Sequence, residues 1–216
     1  MKKIAIIGAG GFGREVKMLI DQINASENKY EFIGYYDDGK EKGTLINGFP
    51  VLGVVSDLND VTEKIGVALA LGNPIYKKSV INVLTNTNIH FETLIHPNVI
   101  IGTDQVHIGE GAVICAGNII TCNVIIKNYV TINLSCTIGH DTLLENYVSL
   151  MPGVNISGEV LLGECVYIGT GAKIINQLEI GKNTTIGAGA VVAKTLPEDC
   201  VAVGVPAKII KYQGEK

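Results

Sequence analysis

From Ile126 the chain reads Ile126-Lys127-Asn128-Tyr129-Val130-Thr131, then Ile132-Asn133-Leu134-Ser135-Cys136-Thr137, then Ile138-Gly139-His140-Asp141-Thr142-Leu143. Each block of six opens on isoleucine. Followed outward in both directions, every sixth residue from Ile108 through Ile114 and Ile120, and on to Ile180, Ile186 and Val192, is aliphatic without a break. Average composition would place Ile, Leu or Val at about one position in four, so an unbroken series of this length is a repeat. The register continues back through Ile101 and Ile95 once one residue is inserted near positions 105–107.

The fourth residue after each opening aliphatic is small or aliphatic in most units, as at Ala112, Val124, Val130, Cys136, Val148, Val154, Val160 and Val166. Both positions must therefore face inward. Six residues are too few for a helical pair but suffice for one short strand and one corner, so three units close a triangular coil of roughly 18 residues. Stacked coils form parallel strands about 4.8 Å apart and bury one aliphatic column on the next. From Ile95 to Val192 the spacing predicts roughly five such coils. Several units open with an aliphatic-glycine pair, as at Ile138-Gly139 and Ile168-Gly169, where glycine is expected to permit a backbone turn that a Cβ would hinder.

This pattern resembles the left-handed parallel β-helix of the hexapeptide acyltransferases. The handedness comes from the resemblance, since most parallel crossovers are right-handed.

Composition narrows the field further. The chain has 216 residues, 47% of them apolar, which is ample for a core. Lys and Arg number 17 against 21 Asp and Glu, and no basic run exceeds a lysine pair, which argues against a nucleic-acid partner. The apolar run after Lys2 and Lys3 ends at Gly8, too short for a signal peptide or membrane span, so the expected address is cytoplasmic. Five cysteines without a CxxC pair fit neither a disulfide framework nor a zinc ribbon.

Ahead of the repeat, residues 3–7 read as a buried strand, followed by Gly8-Ala9-Gly10-Gly11-Phe12-Gly13 and a helical stripe of Phe12, Val16, Leu19, Ile20 and Ile23. Such glycines let the backbone approach a phosphate whose charge the helix start favours. A second strand over 31–36 ends in Asp37-Asp38, where acids accept hydrogen bonds from ribose hydroxyls. A tight turn with nothing bound is the bland reading of the same loop. A third strand over 67–71 leads through Gly72-Asn73-Pro74 into a helix reaching about Thr85, which makes half of a doubly wound sheet. The expected division is a Rossmann-like nucleotide-sugar-binding domain over 1–92 and an all-β left-handed β-helix over 93–212 with a short C-terminal tail.

The two halves together resemble the bacterial sugar acetyltransferases of the PglD and NeuD type across essentially the whole chain. The motifs that carry the likeness are Ile6-Ile7-Gly8-Ala9-Gly10-Gly11-Phe12-Gly13, Tyr36-Asp37-Asp38, Gly48-Phe49-Pro50-Val51-Leu52-Gly53, Ala70-Leu71-Gly72-Asn73, Leu94-Ile95-His96-Pro97, Gly139-His140-Asp141 and Val203-Gly204-Val205-Pro206-Ala207-Lys208. The resemblance implies acetyl transfer from acetyl-CoA to a nucleotide-linked amino sugar, with His140 as general base and Asp141 as the acid that orients it. Histidine suits that task at neutral pH. Adjacent residues point apart in extended chain, which leaves the reach of Asp141 open.

Gly158 lies 18 residues, one coil, beyond His140 and should stack on the same edge. It is either a corner glycine or, as the resemblance implies, the source of an N–H for the oxyanion of the thioester. Asn133 matches a position near the acyl donor. Lys208 is either a CoA-phosphate contact or a solvated lysine. The acceptor nucleotide is expected at Gly10, Gly11, Phe12, Gly13, Arg14, Asp37, Asp38 and Asn73. His96 reads as structural, and no metal is expected, although Cys122 sits one coil before His140. The resemblance further implies a homotrimer. Sialic acid or other sugar O-acetylation is the neighbouring alternative; an NAD-binding oxidoreductase, suggested by the glycine loop, leaves the β-helix without a task.

Overall fold

A computed structural model describes residues 1–214. The first ninety residues form an α/β layer. Strands β1 (Lys2–Ile7), β2 (Tyr30–Tyr36), β4 (Phe49–Gly53), β5 (Ile65–Leu69) and β6 (Ile89–Phe91) make a parallel sheet in the order β4-β2-β1-β5-β6, and the short β3 (Leu45–Ile46) pairs antiparallel with β4. The β3–β4 hairpin accounts for the Gly48–Gly53 motif, whose structural role the sequence left unassigned. Helix α1 (Gly11–Glu27) buries Val16, Leu19, Ile20 and Ile23, the expected stripe, while Phe12 is only half-buried. Helix α2 (Pro74–Val83) begins at Pro74 with Asn73 as its N-cap. The third strand ends two residues earlier than the periodicity predicts, because residues 70–73 are spent turning into that cap.

From Leu94 the chain winds into a parallel β-helix with three flat faces of two-residue strands. The first face stacks Leu94–Ile95, Val113–Ile114, Thr131–Ile132, Ser149–Leu150, Tyr167–Ile168 and Thr185–Ile186. The second runs from Ile100–Ile101 through Thr137–Ile138 to Val191–Val192, and the third from His107–Ile108 through Leu143–Leu144 to Glu179–Ile180. Partners lie 18 residues apart, as Thr137 does from Asn155, except at the two ends, where Ile100 pairs with Ile119 and Thr185 with Val201. The extra residue falls between Ile101 and His107, close to where the register requires it.

The second strand residue of each unit and the residue four further on fill one continuous core, in which Ile138, Leu150, Val154 and Ile168 are wholly buried. Where a polar residue takes an inward corner position, its bonds are satisfied. Asn118 donates to the carbonyls of Cys115 and Ile132 and accepts from the Cys136 N–H.

The glycines after the aliphatic residue play a different part from the one expected. None of Gly109, Gly139, Gly163, Gly169, Gly181 and Gly187 has positive φ. A Cβ on Gly139 would stand 2.5 Å from the Gly158 nitrogen, and one on Gly169 2.6 Å from the Ala188 nitrogen, so these glycines allow one coil to approach the next. The left-handed conformation falls two residues later, at every sixth residue from Gly111 to Gly189, and is held even by Tyr129, Tyr147 and Cys165.

In place of a simple tail, Cys200–Val203 joins the first face and Lys208–Tyr212 pairs with it antiparallel. The α/β layer sits on that same first face. Helix α1 packs toward Leu94, Val113, Cys115 and Leu134. The Lys77 ammonium, wholly buried, donates to the carbonyls of Tyr129 and Val148 and to Thr131 Oγ1, at 2.8, 3.4 and 3.1 Å. Phe91 meets Tyr129 edge-on, and Tyr129 stacks on Tyr147.

Candidate active site

His140 and Asp141 occupy a corner between the second and third faces, directly after the strand Thr137–Ile138. Their main chain is tied to both adjacent coils: the Asp141 N–H donates to the Cys122 carbonyl, and the Glu159 N–H to the His140 carbonyl. Asp141 adopts φ of 56°, the left-handed conformation that aspartate tolerates better than most residues. That bend removes the divergence expected of neighbours in extended chain and brings Asp141 Oδ2 to 2.7 Å from His140 Nδ1. The His140 bond, and after it one from Asn123, holds the Asp141 carboxyl below its usual range. With Nδ1–H donated to a carboxylate, Nε2 is left as the proton acceptor.

Nε2 faces Gly158. A Cβ there would lie 2.5 Å from both Nε2 and Cε1 of His140, so any other residue would push the imidazole aside. His140 and Asp141 are thus exposed on one corner, with the buried backbone of Gly158 against the imidazole. Asn123, which donates from Nδ2 to Asp141 Oδ1 at 3.0 Å, joins them and was missed. Its signal was available, since it stands one coil before Asp141.

The glycine loop is built by close packing. A Cβ on Gly13 would fall 2.0 Å from the Gly8 carbonyl oxygen, whereas Gly10 and Gly11 have nothing within 4 Å and present open backbone. Asp37 accepts from the Ala9 N–H at 2.6 Å and the Gly39 N–H at 2.9 Å, so it first shapes the loop. Asp38 accepts from the Val55 N–H and the Tyr76 hydroxyl. Each carboxylate has about four acceptor positions and keeps capacity for a ligand. A cavity of about 120 Å³ is bounded by Gly8, Asp37, Asp38, Gly39, Val55 and Tyr76. Asn73 caps α2 through Oδ1 and borders a separate cleft of about 470 Å³ reaching Tyr167 and Thr185.

Within one chain the loop and the imidazole do not meet. The α/β layer covers the first face, and His140 stands on the opposite corner. Asn133 is buried on another corner, where its Oδ1 accepts from the Leu134 N–H. Lys208 is exposed on the final strand, paired with Val203. His96 Nδ1 accepts from the Asn98 N–H, a structural task. Burial pushes the thiols of Cys115 and Cys136 up to about 12 and about 11, which removes them as nucleophiles at neutral pH. Among the described residues, no group of three or more His, Cys, Asp and Glu could hold a metal ion, and no helix is long and apolar enough to cross a membrane.

The PglD N-terminal domain family matches residues 3–84, and the bacterial transferase hexapeptide family matches residues 159–194. The acetyltransferase domain of PglB from Neisseria gonorrhoeae FA1090, solved with acetyl coenzyme A, is 32% identical, superposes with a TM-score of 0.87, and is matched over 97% of this chain and 99% of that one. PerB from Caulobacter crescentus, solved with CoA and GDP-perosamine, is 28% identical with a TM-score of 0.85 over 98% of each chain. The GDP-perosamine N-acetyltransferase of Escherichia coli O157:H7 is 30% identical over 141 residues, 65% of this chain and 63% of that one. The chain spans less than two thirds of the length of the curated relatives it matches.

Proposed function

From the premise that this chain belongs to the PglD/NeuD-type sugar acetyltransferases of the hexapeptide-repeat superfamily, we propose that it transfers the acetyl group of acetyl-CoA to the amine of a nucleotide-linked sugar. The observation that carries the reading is the imidazole held by Asp141 at 2.7 Å with its free nitrogen over Gly158. His140 Nε2 takes a proton from the sugar amine as its nitrogen attacks the thioester carbonyl carbon. The Gly158 N–H holds the oxygen that becomes negative. Collapse breaks the carbon–sulfur bond, and the departing CoA thiolate takes the proton back from His140. A 4-amino sugar carried on UDP is the favoured acceptor, and GDP-perosamine, bound by the Caulobacter relative, is the first alternative.

The nucleotide lies on Gly10 to Arg14 with Asp37, Asp38 and Asn73, and acetyl-CoA lies along the β-helix near Asn133 and Lys208. Because loop and base occupy different sides of one prism, the active site forms between copies, in a homotrimer. The exposed aliphatics beside the His140 corner support this: Ile100 and Ile119 on the second face and Ile125 on the third are 63%, 40% and 44% exposed.

The test measures CoA thiol release with UDP-, GDP- and CMP-linked amino sugars, for the wild type and for His140→Ala. The variant is expected to melt normally, to keep its nucleotide-dependent stabilisation, and to lose about 10²–10⁴-fold in kcat. Turnover near normal in that variant removes the mechanism; no thiol release with any acceptor removes the activity.

A further inference from the structure

We propose that Asn123 is a positioning residue for His140, acting through Asp141; the proposal rests on the reading of His140 as base. Along this corner the left-handed residues of successive coils form one column: Gln105, Asn123, Asp141, Glu159 and Gln177. Asn123 and Asp141 share nearly the same backbone, with φ of 55° and 56°, so their side chains leave the corner in the same sense one level apart. Asn123 Nδ2 then reaches Asp141 Oδ1 at 3.0 Å while Oδ2 stays on His140 Nδ1. An exposed carboxylate held by one bond rotates about its terminal torsion, which has broad, shallow minima. Held at both oxygens, it presents Oδ2 to the ring in one orientation and keeps the proton on Nδ1.

The rest of the column keeps out of this contact. Glu159, the acid one level above, accepts from Gln177 Nε2 at 3.2 Å, so the acids pair outward with amides: Asn123 with Asp141, Gln177 with Glu159. Asp104, on the coil below, receives the Asn123 N–H on its main-chain carbonyl. Around Asp141 the ionisable groups are therefore His140 on its own coil, Glu159 above, the Cys122 thiol on the adjoining coil and Asp104 below. A neutral donor suits position 123. An acid there would repel Asp141, and a lysine would weaken its pull on the imidazole.

Glycine accepts φ of 55° without strain, so Asn123→Gly removes the amide and spares the fold; Asn123→Asp keeps the shape and replaces the donor with an acid. In nitrogen-15 NMR of the four histidine rings in their neutral form, assigned with His140→Ala, the wild-type His140 ring should show one tautomer, protonated at Nδ1, and both Asn123→Gly and Asn123→Asp should mix in the Nε2-protonated form. The tautomer patterns of His90, His96 and His107 should be unchanged. In the acetyl-transfer assay, Asn123→Gly should lower kcat about tenfold with KM for both substrates unchanged. An unchanged His140 tautomer pattern in both variants overturns the proposal, as does an unchanged kcat in Asn123→Gly while His140→Ala is inactive. A changed pattern with a fully active His140→Ala leaves the positioning intact and refutes the base. If Asn123→Gly melts early, the isosteric Asn123→Asp carries the NMR comparison alone.

Discussion

In the β-helix each buried side chain meets its own counterpart one coil above and below, Ile138 between Ile120 and Ile156. In the α/β layer no residue has a counterpart: Val16 and Ile20 of α1 share a cluster with Ile4, Tyr35, Val51 and Ala68 drawn from four separate strands. The first kind of core distributes stability along one axis, coil by coil. The second concentrates it, so that a glycine such as Gly13 can decide whether a helix docks at all. The two regions also differ in the surface they offer. The repeat presents side chains on a rigid edge, and the α/β layer presents open backbone at Gly10 and Gly11.

The largest expected effect tests the first half of that contrast. Leu150→Ala, at a wholly buried position in the middle of the stack, should cost about 2–5 kcal/mol in denaturant melts. Amide exchange should quicken in the coils carrying Ile132 and Ile168, its paired neighbours, and stay slow in β1 and β5. Equal acceleration in both regions would mean that the two cores unfold as one. Next comes Gly13→Ala, which places a methyl 2.0 Å from the Gly8 carbonyl oxygen and should cost roughly 1–3 kcal/mol. Its loss should be local: thermal stabilisation by nucleotide disappears, while exchange in the β-helix is unaltered.

How much of this was legible follows the same division. Strict recurrence exposed the β-helix, its inward positions and its irregular first coil, because a repeat averages away local exceptions. His140 and Gly158 were legible as a pair because one coil is a fixed count of residues. The bond between His140 and Asp141 was not, since it depends on a left-handed backbone at Asp141 that no residue type dictates; Tyr129, Tyr147 and Cys165 adopt it at another corner of the repeat. Nor was the role of the glycines after the aliphatics, because close approach between coils and freedom to turn leave the same mark in a sequence. In the α/β layer the loop was readable from its glycines, but the use of Asp37 and Asp38 by the protein's own N–H groups requires the fold.

Lys77 joins the two regions and titrates in a useful range. Burial lowers its ammonium from the ordinary lysine value to about 7. Between pH 7 and the unfolded lysine value near 10.5, the unfolded chain binds more protons at this site than the folded one, so stability rises with pH across that window. Melting temperatures of the wild type should therefore gain on those of Lys77→Met as pH is raised from about 7 to about 10. Parallel curves for the two proteins would place the charge of Lys77 outside the joint between the halves.

The smallest effect isolates backbone conformation from packing. Gly189 and Gly10 both have nothing within 4 Å of a built Cβ, so neither substitution meets a neighbour. They differ in φ: 67° at Gly189, the left-handed corner of the repeat, and −79° at Gly10, which any residue adopts. Gly189→Ala should therefore cost about 1 kcal/mol from strain alone, and Gly189→Asn less, since asparagine visits that region readily. Gly10→Ala should leave the melting temperature in place and weaken only the stabilisation by added UDP or GDP, because its methyl stands where a phosphate would approach the helix start. Equal costs at the two glycines would mean that the corners of the repeat carry no conformational penalty, and that the tyrosines and cysteine standing there are tolerated for want of strain rather than in spite of it.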